Sequence, residues 1–226
     1  MPTAPERIVL VTGASRGIGA EVAKRFAEPG THVVVNYREN TACADSVAEA
    51  IRRAGGQACT FAADIADEAD TAAMIAAVRA HFGRLDALVL NASGGLDSCA
   101  DPGCAMRLNR DAQKRLATAA MGLMPAGSRI VYVTSHQAHF FPDKAVPKGY
   151  ATFAVSKRAG ETALYAMRSE LDHAGIGFTV VSGEMADSTA PVGAAGELAS
   201  AIVRAATTAA SPGIVYVGGA DYLMTA

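Results

Sequence analysis

Three glycines near the N-terminus have the spacing of a turn that binds phosphate. Gly13, Gly17 and Gly19 lie within seven residues, after a short apolar run and before a helix-like stretch. Glycine permits a tight turn and a close approach of backbone to a ligand, and a following helix N-terminus offers free N–H groups and a positive dipole end. The spacing G-x-x-x-G-x-G differs from the G-x-G-x-x-G pattern of many dinucleotide sites. A plain turn is the alternative, and the position after the first strand favours a phosphate site.

Short apolar runs alternate with helix-like stretches, and these elements must position the glycine turn. We expect strands at residues 7–12, 32–36, 57–63, 85–90, 129–134, 177–181 and 214–217. We expect helices at residues 21–28, 41–54, 67–82, about 109–124, 150–173 and 197–209, with Asp67 as an N-cap and Gly83 as a C-terminal stop. Continuously apolar strands are typical of a parallel sheet covered on both faces. The sequence therefore predicts an α/β, three-layer doubly wound Rossmann fold with a parallel sheet of about seven strands, in a single domain over residues 1–226.

The composition excludes several classes of protein. Half of the 226 residues are apolar and 19% are charged, which suits a large core and not a disordered chain. The net charge of −2 gives no general attraction for nucleic acid or an anionic membrane, and no apolar run approaches the ~18 residues of a membrane span. The N-terminus lacks the regions of a signal peptide. The four cysteines show no metal-site spacing, and although Cys99 and Cys104 are near enough to meet, we expect free thiols in a cytoplasmic protein.

Several further segments, taken with the glycine turn, resemble the short-chain dehydrogenase/reductase family. Thr12 precedes the turn, and Asp64 follows the third strand, where the family has an Asp that meets adenine. The segment 91–94, Asn-Ala-Ser-Gly, follows the fourth strand and is similar to the family's Asn-Ala-Gly segment. The pair 156–157, Ser-Lys, matches the end of the family's Tyr-x-x-x-Lys helix. The resemblance covers nearly the whole chain, is weakest after residue 182, and is nearest to 3-oxoacyl-ACP reductase-like enzymes.

This resemblance implies an oxidoreductase that transfers a hydride between a nicotinamide cofactor and a small-molecule carbonyl substrate. Ser135 would hold the substrate oxygen, Lys157 would bind the nicotinamide ribose, and Asn109 would organise the lysine and a water relay. A homodimer or homotetramer is a further expectation from the family. The implied cofactor-binding residues are Gly13, Ser15, Arg16, Gly17, Ile18, Gly19, Asn36, Tyr37, Arg38, Asp64, Ile65, Asn91, Ala92, Ser93, Lys157 and Gly183.

The end of the second strand predicts which nicotinamide cofactor is preferred. Sites for NAD place a carboxylate there to bind the ribose hydroxyls. Here the strand ends in Val-Asn-Tyr-Arg at residues 35–38, and Glu39 comes late. Arg16 and Arg38 offer planar forks of donors to a 2′-phosphate, so we expect NADP(H). The alternative is that Arg38 is a solvated surface charge.

The position of the family's catalytic tyrosine is occupied by Phe153, four residues before Lys157. Phenylalanine has no proton to give, and general acid–base catalysis contributes about 10²–10⁴-fold. Tyr150 lies on the same helical face but about 10 Å along the axis from Lys157. It is either the replacement donor or a residue at the helix entrance. His136 and His139, in a long connection after Ser135, are other candidate donors or plain loop residues.

A second departure follows the sixth strand, where the family's Pro-Gly becomes Ser182-Gly183 and counting places Asp187 at a family threonine. The segment 184–196, which would cover the substrate, is short. Two functions therefore stay open. The first is an NADPH-dependent carbonyl reductase with an atypical proton donor. The second is a non-catalytic NADP(H)-binding regulator or the inactive subunit of a mixed oligomer.

Overall fold

A computed structural model describes residues 5–94, 102–184, 192–209 and 212–224. The strands are β1 (Arg7–Val11), β2 (Thr31–Tyr37), β3 (Gln57–Ala62), β4 (Ala87–Leu90), β5 (Arg129–Ser135), β6 (Gly177–Gly183) and β7 (Ile214–Val217). The helices are α1 (Gly17–Arg25), α2 (Thr41–Arg53), α3 (Glu68–Phe82), α4 (Pro102–Met106), α5 (Gln113–Met121), α6 (His136–His139), α7 (Ala151–Tyr165), α8 (Arg168–His173), α9 (Val192–Thr207) and α10 (Ala220–Met224). A π-helical segment (Arg107–Ala112) joins α4 to α5.

The seven strands form one parallel sheet in the order β3-β2-β1-β4-β5-β6-β7. Val9 of β1 pairs with Val33 of β2 on one side and with Ala87 of β4 on the other. The order of strands therefore reverses between β1 and β4, and a crevice forms at such a point outside the carboxyl ends of the strands. The predicted doubly wound α/β fold and its seven strands are confirmed.

Alternate residues of each strand pack against opposite helical layers. Val9 and Val11 contact the layer of α1, α2 and α9, whereas Ile8 and Leu10 contact the layer of α3, α5 and α7. Successive side chains of a strand point to opposite faces, and here both faces are buried. This is why the strands have continuous apolar sequences instead of alternating apolar and polar residues.

Several helix boundaries differ from the expected ones. Helix α9 spans Val192–Thr207 instead of 197–209, and the expected helix of about 109–124 is the π-helical segment followed by α5. Helix α1 begins at Gly17, four residues early, because the second half of the glycine turn is already helical. The expected helix 150–173 is two helices, α7 and α8, and no glycine or proline marks the break. The loop after β5 opens with α6. The expected ends of α3 are confirmed, since Asp67 accepts a hydrogen bond from the Asp70 N–H and Gly83 has a φ of 68°.

Two expectations from composition can be compared with the described residues. None of the helices in these ranges is both long and apolar enough to cross a membrane. Cys43 and Cys59 have free thiols, as expected. The expectation of a free thiol is wrong at Cys104, which is disulfide-bonded. Cys99 lies outside the described residues.

Candidate active site

The glycine turn connects β1 to α1 with two residues in the left-handed region of backbone conformation. Gly13 has a φ of 62° and Gly17 a φ of 57°, and a side chain at either position would be strained. A Cβ at Gly13 would also lie 2.9 Å from the Ala92 Cα, and one at Gly19 would lie 2.5 Å from the Asn91 Nδ2. Helix α1 begins with no side-chain cap. The turn thus leaves a helix N-terminus and close backbone available to an anionic ligand.

Buried polar side chains hold the turn against the neighbouring strand ends. The Thr12 hydroxyl oxygen accepts a hydrogen bond of 3.0 Å from the Asn91 N–H, and the Asn91 Nδ2 donates one of 2.9 Å to the Thr12 carbonyl. The Asn36 Oδ1 accepts from the Gly13 N–H at 3.2 Å, while its Nδ2 donates to the Ala63 carbonyl at 3.1 Å. These bonds tie the carboxyl ends of β1, β2, β3 and β4 into one rigid edge.

A cavity of about 530 Å³ lies at this edge. Its lining includes most of the expected cofactor-binding residues, namely Gly13, Ser15, Arg16, Gly17, Ile18, Gly19, Asn36, Arg38, Asp64, Ile65, Asn91, Ala92 and Ser93. The lining also includes Glu39, which the sequence analysis placed late after the second strand, and Gly94 of the segment 91–94. It further includes residues that sequence reasoning missed, namely Asn40, Cys43, Ala63 and Leu108. Three expected residues lie elsewhere. The Tyr37 side chain is buried in the core, Gly183 ends β6, and Lys157 is inside α7.

Charged side chains border one end of the cavity. Arg16 and Arg38 both line it, and the Arg38 Nη2 lies 2.7 Å from a Glu39 carboxylate oxygen. Both partners of this ion pair are more than half exposed. The Asp64 carboxylate accepts a hydrogen bond of 2.8 Å from the Ala66 N–H. The cavity lining therefore contains two guanidinium groups, Arg16 and Arg38, together with the Glu39 and Asp64 carboxylates.

A second group of polar side chains lies at the carboxyl end of β5. The Ser135 Oγ and the Tyr150 hydroxyl oxygen are 3.0 Å apart. Ser135 is the N-cap of α6, and Tyr150 is the residue before α7. The connection over residues 136–149 therefore begins and ends at two residues that are in contact. Tyr150 is 3% exposed, and its ring lies 5.1 Å from the Phe153 ring.

Lys157 is buried beneath the same strand end. Its Nζ donates a hydrogen bond of 2.7 Å to the Val133 carbonyl and lies 4.6 Å from the centre of the Tyr132 ring. Burial lowers the pKa of Lys157 to about 7, and the Glu161 carboxylate opposes this shift. The ammonium thus lies in an apolar environment in which its charge is easily lost.

The π-helical segment presents Asn109 to α7. The Asn109 Nδ2 donates a hydrogen bond of 3.0 Å to the Ser156 Oγ, and the Tyr132 hydroxyl donates to the Lys157 carbonyl at 3.0 Å. Segments of π-helix within α-helices occur frequently at functional sites. Gln113, which sequence reasoning missed, donates to the Ala92 carbonyl at 2.8 Å and so joins this helix to the cavity.

Comparison with known proteins decides the family. The family model for short chain dehydrogenase matches residues 7–194. The chain belongs to this family. Versicolorin reductase 1 of Aspergillus parasiticus is 36% identical over 69% of this chain and 60% of its own length. An uncharacterized oxidoreductase of Methylorubrum extorquens is 47% identical over 38% of this chain and 34% of its own length. The chain thus spans less than two thirds of each of these relatives.

Solved structures of short chain dehydrogenases are similar over nearly the whole chain. The promiscuous reductase LugOII, which catalyses keto-reduction at C1 in lugdunomycin biosynthesis, has a TM-score of 0.81 at 27% identity, covering 96% of both chains. A short chain dehydrogenase from Burkholderia cenocepacia in complex with NADP has a TM-score of 0.81 at 28% identity, covering 96% of this chain and 98% of that one.

The two histidines that could replace the short chain dehydrogenase tyrosine both contact other groups. The His136 Nε2 lies 3.1 Å from the Gly218 carbonyl, which can only accept, so Nε2 carries the proton and Nδ1 accepts from the Ser182 hydroxyl at 2.8 Å. The His139 Nδ1 lies 2.8 Å from a Glu161 oxygen. Both nitrogens of His136 are thus used at the ends of β6 and β7. Tyr150 is the candidate donor that the structure brings to Ser135.

This contact gives a structural reason for serine at position 182, where the family has a proline. The Ser182 hydroxyl pairs with His136, and a proline has no hydroxyl to do so. Asp187, which counting places at a family threonine, lies outside the described residues, as does most of the segment 184–196. Among the residues that the structure does describe, no cluster of three His, Cys, Asp or Glu side chains could hold a metal ion.

Proposed function

We propose that this chain is an NADPH-dependent carbonyl reductase in which Tyr150 donates the proton. One observation carries the proposal, the 3.0 Å separation between the Tyr150 hydroxyl and the Ser135 Oγ. Two hydroxyls at hydrogen-bond distance can both reach one carbonyl oxygen. Phe153, which we align with the family's tyrosine, cannot do so.

In this proposal each residue of the site has a separate role in the reduction. The cofactor, when bound, supplies the hydride. Ser135 donates a hydrogen bond to the substrate oxygen and orients the carbonyl. Tyr150 passes its proton to that oxygen as negative charge develops there, and a positive Lys157 beneath β5 favours this charge. Asn109 holds Ser156, and with it the start of the lysine-bearing turn.

The residues around the large cavity fit NADP(H). The free N-terminus of α1 and the glycine turn suit a pyrophosphate, and the close backbone contacts at Gly13 and Gly19 leave no room for the Cβ that another residue would add. Arg16 and Arg38 border the cavity and suit a 2′-phosphate. The complex of the Burkholderia cenocepacia protein with NADP supports this assignment.

The substrate is a small ketone with an apolar body. Tyr150 belongs to a small apolar cluster with Ala138 and Ala154, and Phe141, Val146 and Phe153 pack against it. Versicolorin reductase 1 is a reductase and LugOII catalyses a keto-reduction, and both activities support a ketone as substrate.

The test is NADPH oxidation against a panel of aromatic ketones, quinones and β-ketoacyl thioesters. We expect the wild type to turn over at least one of them and Tyr150→Phe to lose about 10²–10⁴-fold in kcat. The affinity for NADPH, measured by fluorescence titration, should be the same in both proteins. An undiminished rate in Tyr150→Phe would show that Tyr150 is not the donor.

Phe153 favours a second candidate, a non-catalytic NADP(H)-binding protein or the inactive subunit of a mixed oligomer. Such a protein would bind NADPH and gain thermal stability from it, because a ligand of the native state raises the melting temperature. It would oxidise no NADPH with any member of the panel. Activity that appears only in Phe153→Tyr would decide for this candidate and against the reductase.

A further inference from the structure

Helix α7 carries a second buried ionisable side chain, Glu161, which the reaction described above does not use. Glu161 is fully buried and lies four residues after Lys157. Residues four apart in a helix are neighbours on one face, with about 5–6 Å between their Cβ atoms. We propose that Glu161 is a positioning residue that keeps the Lys157 ammonium charged, and so sets the pH range in which the site works. This inference rests on the proposed carbonyl reductase.

Glu161 has two side-chain partners, His139 and Arg158. The His139 Nδ1 lies 2.8 and 3.0 Å from its two oxygens, and the Arg158 Nη1 lies 2.8 Å from Oε1. Hydrogen bonds and a guanidinium at this distance stabilise a carboxylate inside a protein. The Glu161 carboxyl group therefore lies in a buried cluster with the Arg158 guanidinium and the His139 ring.

The hydrogen bonds continue to the surface through His139. A carboxylate can only accept, so the His139 Nδ1 donates to it, and in the neutral ring Nε2 accepts from the Tyr216 hydroxyl at 2.9 Å. Tyr216 is 41% exposed. The carboxylate is therefore held from α6, α7 and β7 together, and it does not depend on a single contact.

Lys157, in contrast, has uncharged partners. Its Nζ donates to the Val133 carbonyl and faces the Tyr132 ring. Burial lowers the pKa of Lys157 to about 7, and Glu161 raises it against that effect. Without a nearby anion, the ammonium would lose its proton at a still lower pH.

The ionisable groups around the pair respond to the same negative charge. Tyr132 of β5, Tyr165 of α7 and Tyr216 of β7 have raised pKa values, first because of burial and then because of the Glu161 charge. Arg158 acts against that charge at Tyr165 and Tyr216. These three tyrosines belong to β5, α7 and β7, and the Tyr132 ring is also the one that the Lys157 Nζ faces.

The direct test is titration of Lys157 by NMR in the full chain labelled with ¹³C at the lysine ε-carbons. The chain has five lysines, and the Lys157 signal is the one lost in Lys157→Met. We expect Glu161→Gln, which keeps the size of the side chain, to lower the pKa of Lys157 by about one unit or more. Glu170→Gln, which removes an exposed carboxylate of α8, should leave it unchanged. An unchanged Lys157 titration in folded Glu161→Gln would overturn the proposal.

Glu161→Gln leaves Arg158 and His139 without their carboxylate partner, and a second variant is needed if this one does not fold. In the double variant Glu161→Gln/Arg158→Met the carboxylate and the guanidinium that pairs with it are removed together, which buried sites often tolerate. Losing the Arg158 charge can only raise the pKa of Lys157, so a fall in the double variant comes from Glu161. No fall in the double variant refutes the role of Glu161.

Kinetics link the titration to function and separate the two proposals. Lys157 is charged below its pKa, so reduction should decline as pH rises through that value, and the decline should move to lower pH in Glu161→Gln. The NMR titration needs no turnover. If Tyr150→Phe stays fully active, the assignment of the donor fails, and the Lys157 titration still decides the role of Glu161.

Discussion

Position 160 has no room for a side chain beside Asn109. A Cβ at Gly160 would overlap the Asn109 carbonyl oxygen and lie 2.8 Å from the Tyr132 hydroxyl oxygen. The missing side chain lets α7 pack directly against the π-helical segment, and this packing brings Ser156 to Asn109. A glycine in mid-helix costs about 0.5–1 kcal/mol relative to alanine. Here that cost is offset by the close approach of two helices that carry the site.

Gly160→Ala should therefore destabilise the protein in spite of the better helix propensity of alanine. Overpacking of a core typically costs about 1–3 kcal/mol, and the obstacle here is backbone, which cannot move aside. Urea unfolding measures the difference. Gly122→Ala is the matched control, because a Cβ there would meet only the end of the Arg79 side chain at 3.6 Å. If Gly160→Ala proves as stable as Gly122→Ala, the close packing of α7 is not required.

Arg38 should determine the preference between the two nicotinamide cofactors. Arg38→Ala removes a charged hydrogen-bond donor from the cavity lining. A hydrogen bond to a charged group is worth about 1.5–3 kcal/mol, so this variant should bind NADPH about tenfold or more weakly. NADH lacks the 2′-phosphate, and its affinity should change little. Arg53→Ala, an exposed arginine of α2 outside the cavity lining, provides the control. Direct titration in which NADH binds more tightly than NADPH to the wild type would contradict the assignment.

His136 should make the protein less stable in mild acid. Burial lowers the pKa of His136 below its ordinary value of 6.5, so the unfolded chain takes up the proton first. The contribution of neutral His136 to the free energy of unfolding is fully present above pH 6.5, and it is lost as the pH drops through the folded-state pKa. His136→Gln keeps a donor toward the Gly218 carbonyl and does not titrate. The free energy of unfolding should fall less in this variant between pH 7 and pH 5, and equal slopes would exclude His136 as a source.

The fold could be predicted because it depends on features of residues that are close together in the sequence. Val9 and Leu10 are buried on opposite faces of one strand, and such continuous apolar runs, alternating with helices, are compatible with few arrangements other than a covered parallel sheet. Asp67 and Gly83 end α3 by contacts within a few residues. The glycine turn is equally local, because the positive φ of Gly13 and Gly17 is a property of the backbone there.

The contact between Tyr150 and Ser135 could not be predicted from such local features. Helical periodicity gives the distance from Tyr150 to Lys157 along α7, but it does not give the distance from Tyr150 to a residue on β5. That distance depends on how the connection from residue 136 to 149 packs, and its apolar contacts to Ala138 and Ala154 are made only in the folded chain.

The sequence by itself therefore determined the sheet, the helical layers and the glycine turn, because local backbone preference and apolar patterning specify them. Tertiary structure alone decided that Tyr150 meets Ser135, that His136 holds Ser182, and that Glu161 lies buried among His139 and Arg158. Each of these contacts joins residues 3 to 46 positions apart through side-chain packing. The contacts that join different elements depend on the packing of the core as a whole, and no spacing in the sequence encodes them, whereas Arg158 and Glu161 are neighbours three residues apart in α7.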